Sequence, residues 1–245
     1  MSVAEWLILT ITALLAAVLS GVLGMGGGVA LLGVMTAILP APVVVPLHGV
    51  IQLVSNCTRT LALLRHVVWR VVAVFAPPLV LGLAFATALW SGNKLNYLRP
   101  VVGVLLLAFV ALRRRAPKLR NLPTWTYAPL GLVTGFASVW IGAVGPLLAP
   151  FFLRDDLEPE QIIATKAACQ SISHLLKIPA FVVLGFEFVG HGELLLTLVV
   201  VVIVGTLIGR AILTRIERAR FVTAFEILLV TLAIWLITAP LIPTS

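Results

Sequence analysis

The sequence predicts an all-α integral membrane protein built of two inverted repeats, each a glycine-broken helical hairpin followed by three transmembrane helices. Three observations predict it. Charge is too scarce to clothe a water-facing surface, an over-long apolar segment in each half is broken by glycine, and a polar stripe in the first half recurs in the second. Of 245 residues, 61% are hydrophobic and 11% are charged, with mean hydropathy +1.15. A soluble domain carries roughly 25% charged residues. Ala, Val, Leu and Ile dominate without two-residue alternation, which favours helices over an outer-membrane barrel. The net charge of +8 sits at Arg65, Arg70, the run Arg113 to Arg120, and Arg210 to Arg220, all flanking apolar stretches. Cations so placed set topology and meet lipid headgroups, so nucleic acid is not the expected partner. Cys57 and Cys169 both fall in apolar helices and predict buried thiols, with no disulfide framework. The start "MSVAEWLILT" lacks a basic n-region, so no cleaved signal peptide is expected.

The elements follow in order. Glu5 to Leu39 would run about 50 Å as one helix at ~1.5 Å per residue, against a hydrocarbon core of ~30 Å. Gly21, Gly24, Gly26, Gly27 and Gly28 interrupt it, and glycine costs about 1 kcal/mol relative to alanine inside a helix. The segment is read as two short helices joined at a glycine turn, entering and leaving on one side. In the second half "IGAVGP" plays that part, with Pro146 placed to open the returning half-helix. Spans are expected at about 43–65, 69–91 and 95–113, then 159–185, 192–214 and 219–240. At an offset of 118, Gly24 falls on Gly142, Gly27 on Gly145, Gln52 on Gln170, Ser55 on Ser173 and Arg59 on Lys177. Further on the offset lengthens to about 123, so that Gly82 meets Gly205. The chain therefore divides into a first membrane repeat (1–115), a basic cytoplasmic linker (116–124) and a second membrane repeat (125–245). With each hairpin returning to its own side, every half makes three net crossings. All three basic loops then fall inside and the Lys- and Arg-free N-terminus outside, as the positive-inside rule requires. An odd number of crossings also makes the halves inverted.

His48, Gln52, Ser55 and Arg59 are spaced i, i+4, i+7, i+11, one stripe of a helix. Lys166, Gln170, Ser173 and Lys177 repeat that stripe, with Asn56 and His174 alongside. A cation within a span costs several kcal/mol unless it snorkels, pairs or lines a wet cavity. Half-helices beginning after Gly28 or Gly145 would aim free N–H groups and a positive dipole end into the membrane, as an anion site requires. Trp140, just before the second break, would line the same pocket or, equally, serve as an ordinary packing side chain. Glu226 is the one clear carboxylate expected within the spans, so an anionic substrate is favoured over a metal ion. Each feature has a plain structural counterpart. The glycines would also permit close helix packing, Gln and Ser would also bond neighbouring helices, and His48 and His174 would also serve as satisfied structural donors. The coincidence of all of them in both halves favours the pocket.

At "GVLGMGGG", its second copy "VWIGAVGPLLAPFF", and the polar helices "QLVSNCTR" and "QSISHLLK", the sequence resembles the sulfite exporter TauE/SafE family, also called the toluene-sulfonate uptake permease family. The likeness in length, duplication and motif order spans nearly the whole chain. The second break departs from it, carrying "AVGP" in place of a full glycine triplet. The resemblance implies secondary transport of sulfur-containing anions such as sulfite or small organosulfonates, usually as export. It also implies site positions at Gly24 to Gly28, Gln52, Ser55, Asn56, Arg59, Gly142, Gly145, Gln170, Ser173, His174 and Lys177. The expected partners are a small anion and the lipid bilayer of a bacterial or archaeal cytoplasmic membrane, with no cofactor and no metal. Oligomeric state stays open, a homodimer among the options, as do coupling ion and direction. An anion channel and a membrane subunit or assembly factor are the rival readings. An enzyme is disfavoured because no nucleophile–base pair or metal-ligand spacing stands out.

Overall fold

A computed structural model of the chain describes residues 1–24, 26–90, 98–115, 122–152, 156–212, 227 and 230–238, and among these all regular structure is helical. Helix α1 (Val3–Leu23) opens on a capping box, in which the Ser2 hydroxyl accepts from the Glu5 N–H and the Glu5 carboxylate accepts from the Ser2 N–H. It closes at Gly24, whose φ of 71° is a left-handed conformation that glycine adopts without a Cβ penalty. Gly26, at φ 96°, then caps helix α2 (Gly27–Ile38). Helix α3 (Ala41–Ala62) begins with proline in its first turn, where the missing N–H costs nothing. Helices α4 (Trp69–Ala88) and α5 (Leu98–Arg115) complete the first half. The second comprises α6 (Tyr127–Ile141), α7 (Gly145–Phe152), α8 (Pro159–Val183), α9 (Gly192–Ile212) and a helical stretch at 230–238.

These helices match the expected spans to within a few residues, the uncertainty inherent in any helix end. The breaks fall at the anticipated glycines, but α2 starts at Gly27 and α7 at Gly145 itself, slightly earlier than read from the sequence. Most of the last expected span, Glu226 with it, lies outside the described residues, as do linker residues 116–121. Val3–Val22, Ala41–Ala62, Trp69–Ala88 and Val189–Ala211 are each long and apolar enough to cross a membrane. Large apolar side chains such as Leu15, Leu81, Phe85 and Leu196 point outward, as a lipid-facing surface requires.

The polar helices α3 and α8 form the centre and run antiparallel. The His48 and His174 rings meet edge-on at 6.0 Å, Lys177 lies over Gly49, and the Thr165 hydroxyl accepts from the Val68 N–H at 2.9 Å. Outside them, α4 packs along α6 and α1 along α9. Both lateral contacts are close because glycine lies between the backbones. A Cβ on Gly82 would stand 2.0 Å from the Leu132 carbonyl oxygen, and one on Gly205 would stand 2.7 Å from that of Leu14. Approach of this kind stands in for the hydrophobic drive that lipid cannot supply.

The two broken segments are hairpins that dip toward the α3–α8 pair from opposite ends. In the first, α2 doubles back so tightly that a Cβ on Gly27 would collide with the Ala16 carbonyl. The start of α2 lies beside Gln52, midway along α3, and its end is joined to the start of α3 by two residues. In the second, the Tyr127 hydroxyl donates to the Phe151 carbonyl at 2.9 Å, tying the end of α7 to the start of α6. Phe152 packs there with Val67, Val71 and Ala164, at the end where α8 begins. Two helix tips thereby reach the interior where the polar stripes of α3 and α8 face each other.

Candidate functional site

Between the tips lies a small cavity of about 20 Å³. From the first hairpin it is lined by Ser20, Gly24, Gly26, Gly28 and Val29, and from α3 by His48, Gln52, Asn56 and Arg59. The second half adds Ala143 and Gly145 from its turn and Lys166, Gln170 and His174 from α8. Among the described residues, no Asp or Glu lines it. The antiparallel packing of two stripes with matching i, i+4 spacing brings these side chains from distant sequence to one place.

The side chains are buried and incompletely satisfied. Arg59 donates through its Nη atoms to the Ser55 hydroxyl at 3.1 Å and the Asn56 side-chain oxygen at 3.3 Å, both neutral acceptors. Its Nε has no hydrogen-bond partner among the described residues. His48 donates from Nε2 to the Gly28 carbonyl at 2.8 Å, and among the described residues neither its Nδ1 nor that of His174 has a partner. A carbonyl can only accept, so the bond to Gly28 sets the His48 tautomer. Lys166 is 1% exposed, and among the described residues its amine reaches only the Gly24 carbonyl, at 3.5 Å. Among the described residues no carboxylate lines the cavity to offset the cost of burying these two charges, several kcal/mol for a buried ion. The tip of α2 adds N–H groups of its first turn, with no side chain capping them.

Other residues of the sequence-derived set lie outside the lining. Gly27 is wedged against α1, and Gly142 forms the second turn at φ 84°. The amine of Lys177 donates to the Gly142 carbonyl, holding the C-terminal end of α6 where the helix dipole is negative. Ser55 bonds Arg59 and approaches the Thr206 hydroxyl at 3.3 Å, while Ser173 is buried with no partner among the described residues. Trp140 belongs to an aromatic cluster, 5.0 Å from Trp90, which in turn is 6.4 Å from Phe181. Conversely, Lys166 and Ser20 line the cavity without having been assigned to it from the sequence. Lys166 shows the same stripe spacing as Gln170, and that was the signal available.

A second, wider space of about 460 Å³ adjoins on one side. Arg59 lines it too, with His66, Glu158, Glu160 and Arg210 farther out. Arg59 thus stands between the inner cavity and a charged vestibule at the end of the molecule where α8 begins.

A helical bundle with helices able to cross a membrane, and two hairpin tips meeting at a buried, cation-lined cavity, is the architecture of a membrane transporter. The chain belongs to the sulfite exporter TauE/SafE family, whose model matches residues 9–236. Members of that family are transporters rather than enzymes. No curated protein and no solved structure matches the chain.

Proposed function

We propose that the chain is a secondary transporter that moves a small sulfur-containing anion, such as sulfite or an organosulfonate, by alternating access. The observation that carries this reading is the inner cavity, where Arg59, Lys166, His48 and His174 converge with the α2 tip and where, among the described residues, no carboxylate lines the wall. An anion there would relieve the desolvation cost of the cations and fill unmet donors such as Arg59 Nε. Gln52, Asn56 and Gln170 would supply neutral hydrogen bonds that orient an oxyanion without adding charge. Export is the direction given in the family description. In this reading the chain lies multi-pass in a bacterial or archaeal cytoplasmic membrane, with Arg65, Arg70 and Arg210 inside. The vestibule then opens to the cytoplasm and delivers the anion past Arg59.

Alternating access fits two inverted halves, residues 1–115 and 125–245, joined by the basic linker 116–124. Three features support that division. The hairpins approach from opposite ends, and the α4–α6 and α1–α9 contacts exchange when the halves are swapped. The third is closest in detail: offsets of 123 and 118 convert the Gly82–Leu132 approach into Gly205–Leu14.

The test is transient current in proteoliposomes challenged with sulfite, sulfoacetate, isethionate, taurine, sulfate, phosphate and a small dicarboxylate. A saturable response to a sulfur anion, lost in a folded Arg59→Gln protein, is expected. Flux that never saturates would instead identify a channel, and silence toward every anion from folded protein would refute the reading.

A further inference from the structure

We infer that a second vestibule, closed in this structure, lies at the end of the molecule opposite the first, with Lys177 as the latch that holds it shut; this rests on the proposed alternating access of two inverted halves. At an offset of 118, Arg59, Ala62 and Leu63 of the open vestibule correspond to Lys177, Ala180 and Phe181, and Ile163 corresponds to Val45. The offset of 123 pairs Thr206 of that vestibule with Leu83. The correspondence holds in space as well as in sequence. A Cβ on Gly24 would meet the Ile163 side chain at 2.5 Å, and one on its counterpart Gly142 would meet that of Val45 at 3.3 Å. The two ends nevertheless differ in packing. Ala62 and Leu63 are half-buried beside open space, whereas Ala180 and Phe181 are 7% and 4% exposed. With Val45 and Leu83 they belong to one apolar core, against which Trp90 and Trp140 pack.

The two cations differ in the same way. Lys177 donates to the carbonyl of Gly142, the residue that caps α6. Arg59 bonds Ser55 and Asn56 instead of the matching carbonyl of Gly24, which caps α1. A charge-assisted bond at a helix C-terminus is among the stronger neutral–ion contacts, and this one ties α8 to the turn of the second hairpin. While it stands, the apolar wall around it stays packed. When the halves exchange conformations, Lys177 leaves Gly142, Arg59 takes the Gly24 carbonyl, and the open space moves to the other end. Apart from Lys177 the walls of the new space are apolar, unlike those of the first, where His66, Glu158, Glu160 and Arg210 gather. An anion leaving that way passes Lys177 as it passes Arg59 on entering.

The test is thiol labelling of the full chain in oriented membrane vesicles, with Cys57 and Cys169 replaced and a membrane-impermeant methanethiosulfonate as probe. Leu63→Cys should react from one face, and Val45→Cys slowly and from the other face alone. In the double variant, a bulky reagent attached to Leu63→Cys wedges the first vestibule open and should abolish the reaction of Val45→Cys; this arm leaves Lys177 untouched. Lys177→Met should speed Val45→Cys labelling about tenfold or more, the factor by which loss of a hydrogen bond from a charged donor shifts a two-state equilibrium, and should slow Leu63→Cys in step. Lys177→Arg, which keeps a donor, should return both rates toward those of the parent chain. Val45→Cys silent from the far face, or reacting as fast with the wedge in place, would overturn the inference while transport current persists. Both rates rising together in Lys177→Met would mean general loosening and would refute the latch. Absence of current to every anion from folded parent protein would bring down the functional reading and this inference together.

Discussion

Lys166 and Lys177 lie three turns apart on α8, and both are fully buried, yet their amines end in different surroundings. Lys177 supports the second turn through the Gly142 carbonyl, whereas Lys166 faces the cavity. Lys177→Ala should therefore lower stability by about 1–3 kcal/mol from the orphaned carbonyl alone, read as a drop in the thermal midpoint in detergent. Arg59→Gln should behave oppositely. Removing a buried cation whose partners are neutral is expected to leave the anion-free midpoint unchanged or raised, while anion binding is lost. A large fall in that midpoint would show Arg59 to be structural. The stripe spacing made Gln52, Arg59 and Gln170 legible as cavity residues. It could not separate Lys166 from Lys177, because both satisfy the same helical period.

At the level of elements, the hairpins depend on backbone approaches that admit no side chain. A Cβ at Gly27 would meet the Ala16 carbonyl and carbon as well as the Ser20 hydroxyl oxygen, all within 2.7 Å, so relief requires α2 to move away from α1. Gly27→Ala should cost about 3 kcal/mol or more, at the upper end of overpacking penalties, and abolish the monodisperse peak in size-exclusion chromatography. Gly190→Ala provides the contrast, since nothing lies within 4 Å of the added carbon and its effect should stay within about 0.5 kcal/mol. A normal profile for Gly27→Ala would mean that the tip is not packed as described. The glycine cluster announced a break and its location. Which of its glycines turns the chain and which is merely crowded depends on α1, an element the local pattern does not contain.

For the molecule as a whole, antiparallel packing of α3 on α8 puts residues 62–70 with the start of α8 at one end, and residues 183–192 at the other. With Cys57 and Cys169 first replaced, Leu64→Cys and Gly190→Cys should label from opposite faces of intact cells or oriented vesicles. Residue 64 should react from the cytoplasmic side, because Arg65, Arg70 and Arg210 gather there. Labelling of both from one side would discard the membrane topology. The vestibule containing Arg59, Glu158 and Arg210 opens at the residue-64 end, so the same experiment reports the compartment it faces.

The sequence by itself determined the membrane setting, the helix positions, the two glycine breaks and the polar stripes, since each is a local property of hydropathy, backbone freedom or helical period. Tertiary structure alone decided which polar groups meet. A long cation on a helix face can end at a neighbouring carbonyl, as Lys177 does, or in a shared cavity, as Arg59 and Lys166 do. The choice depends on what the facing helix and hairpin tip present at that depth, a non-local matter that no periodicity along one strand of sequence encodes.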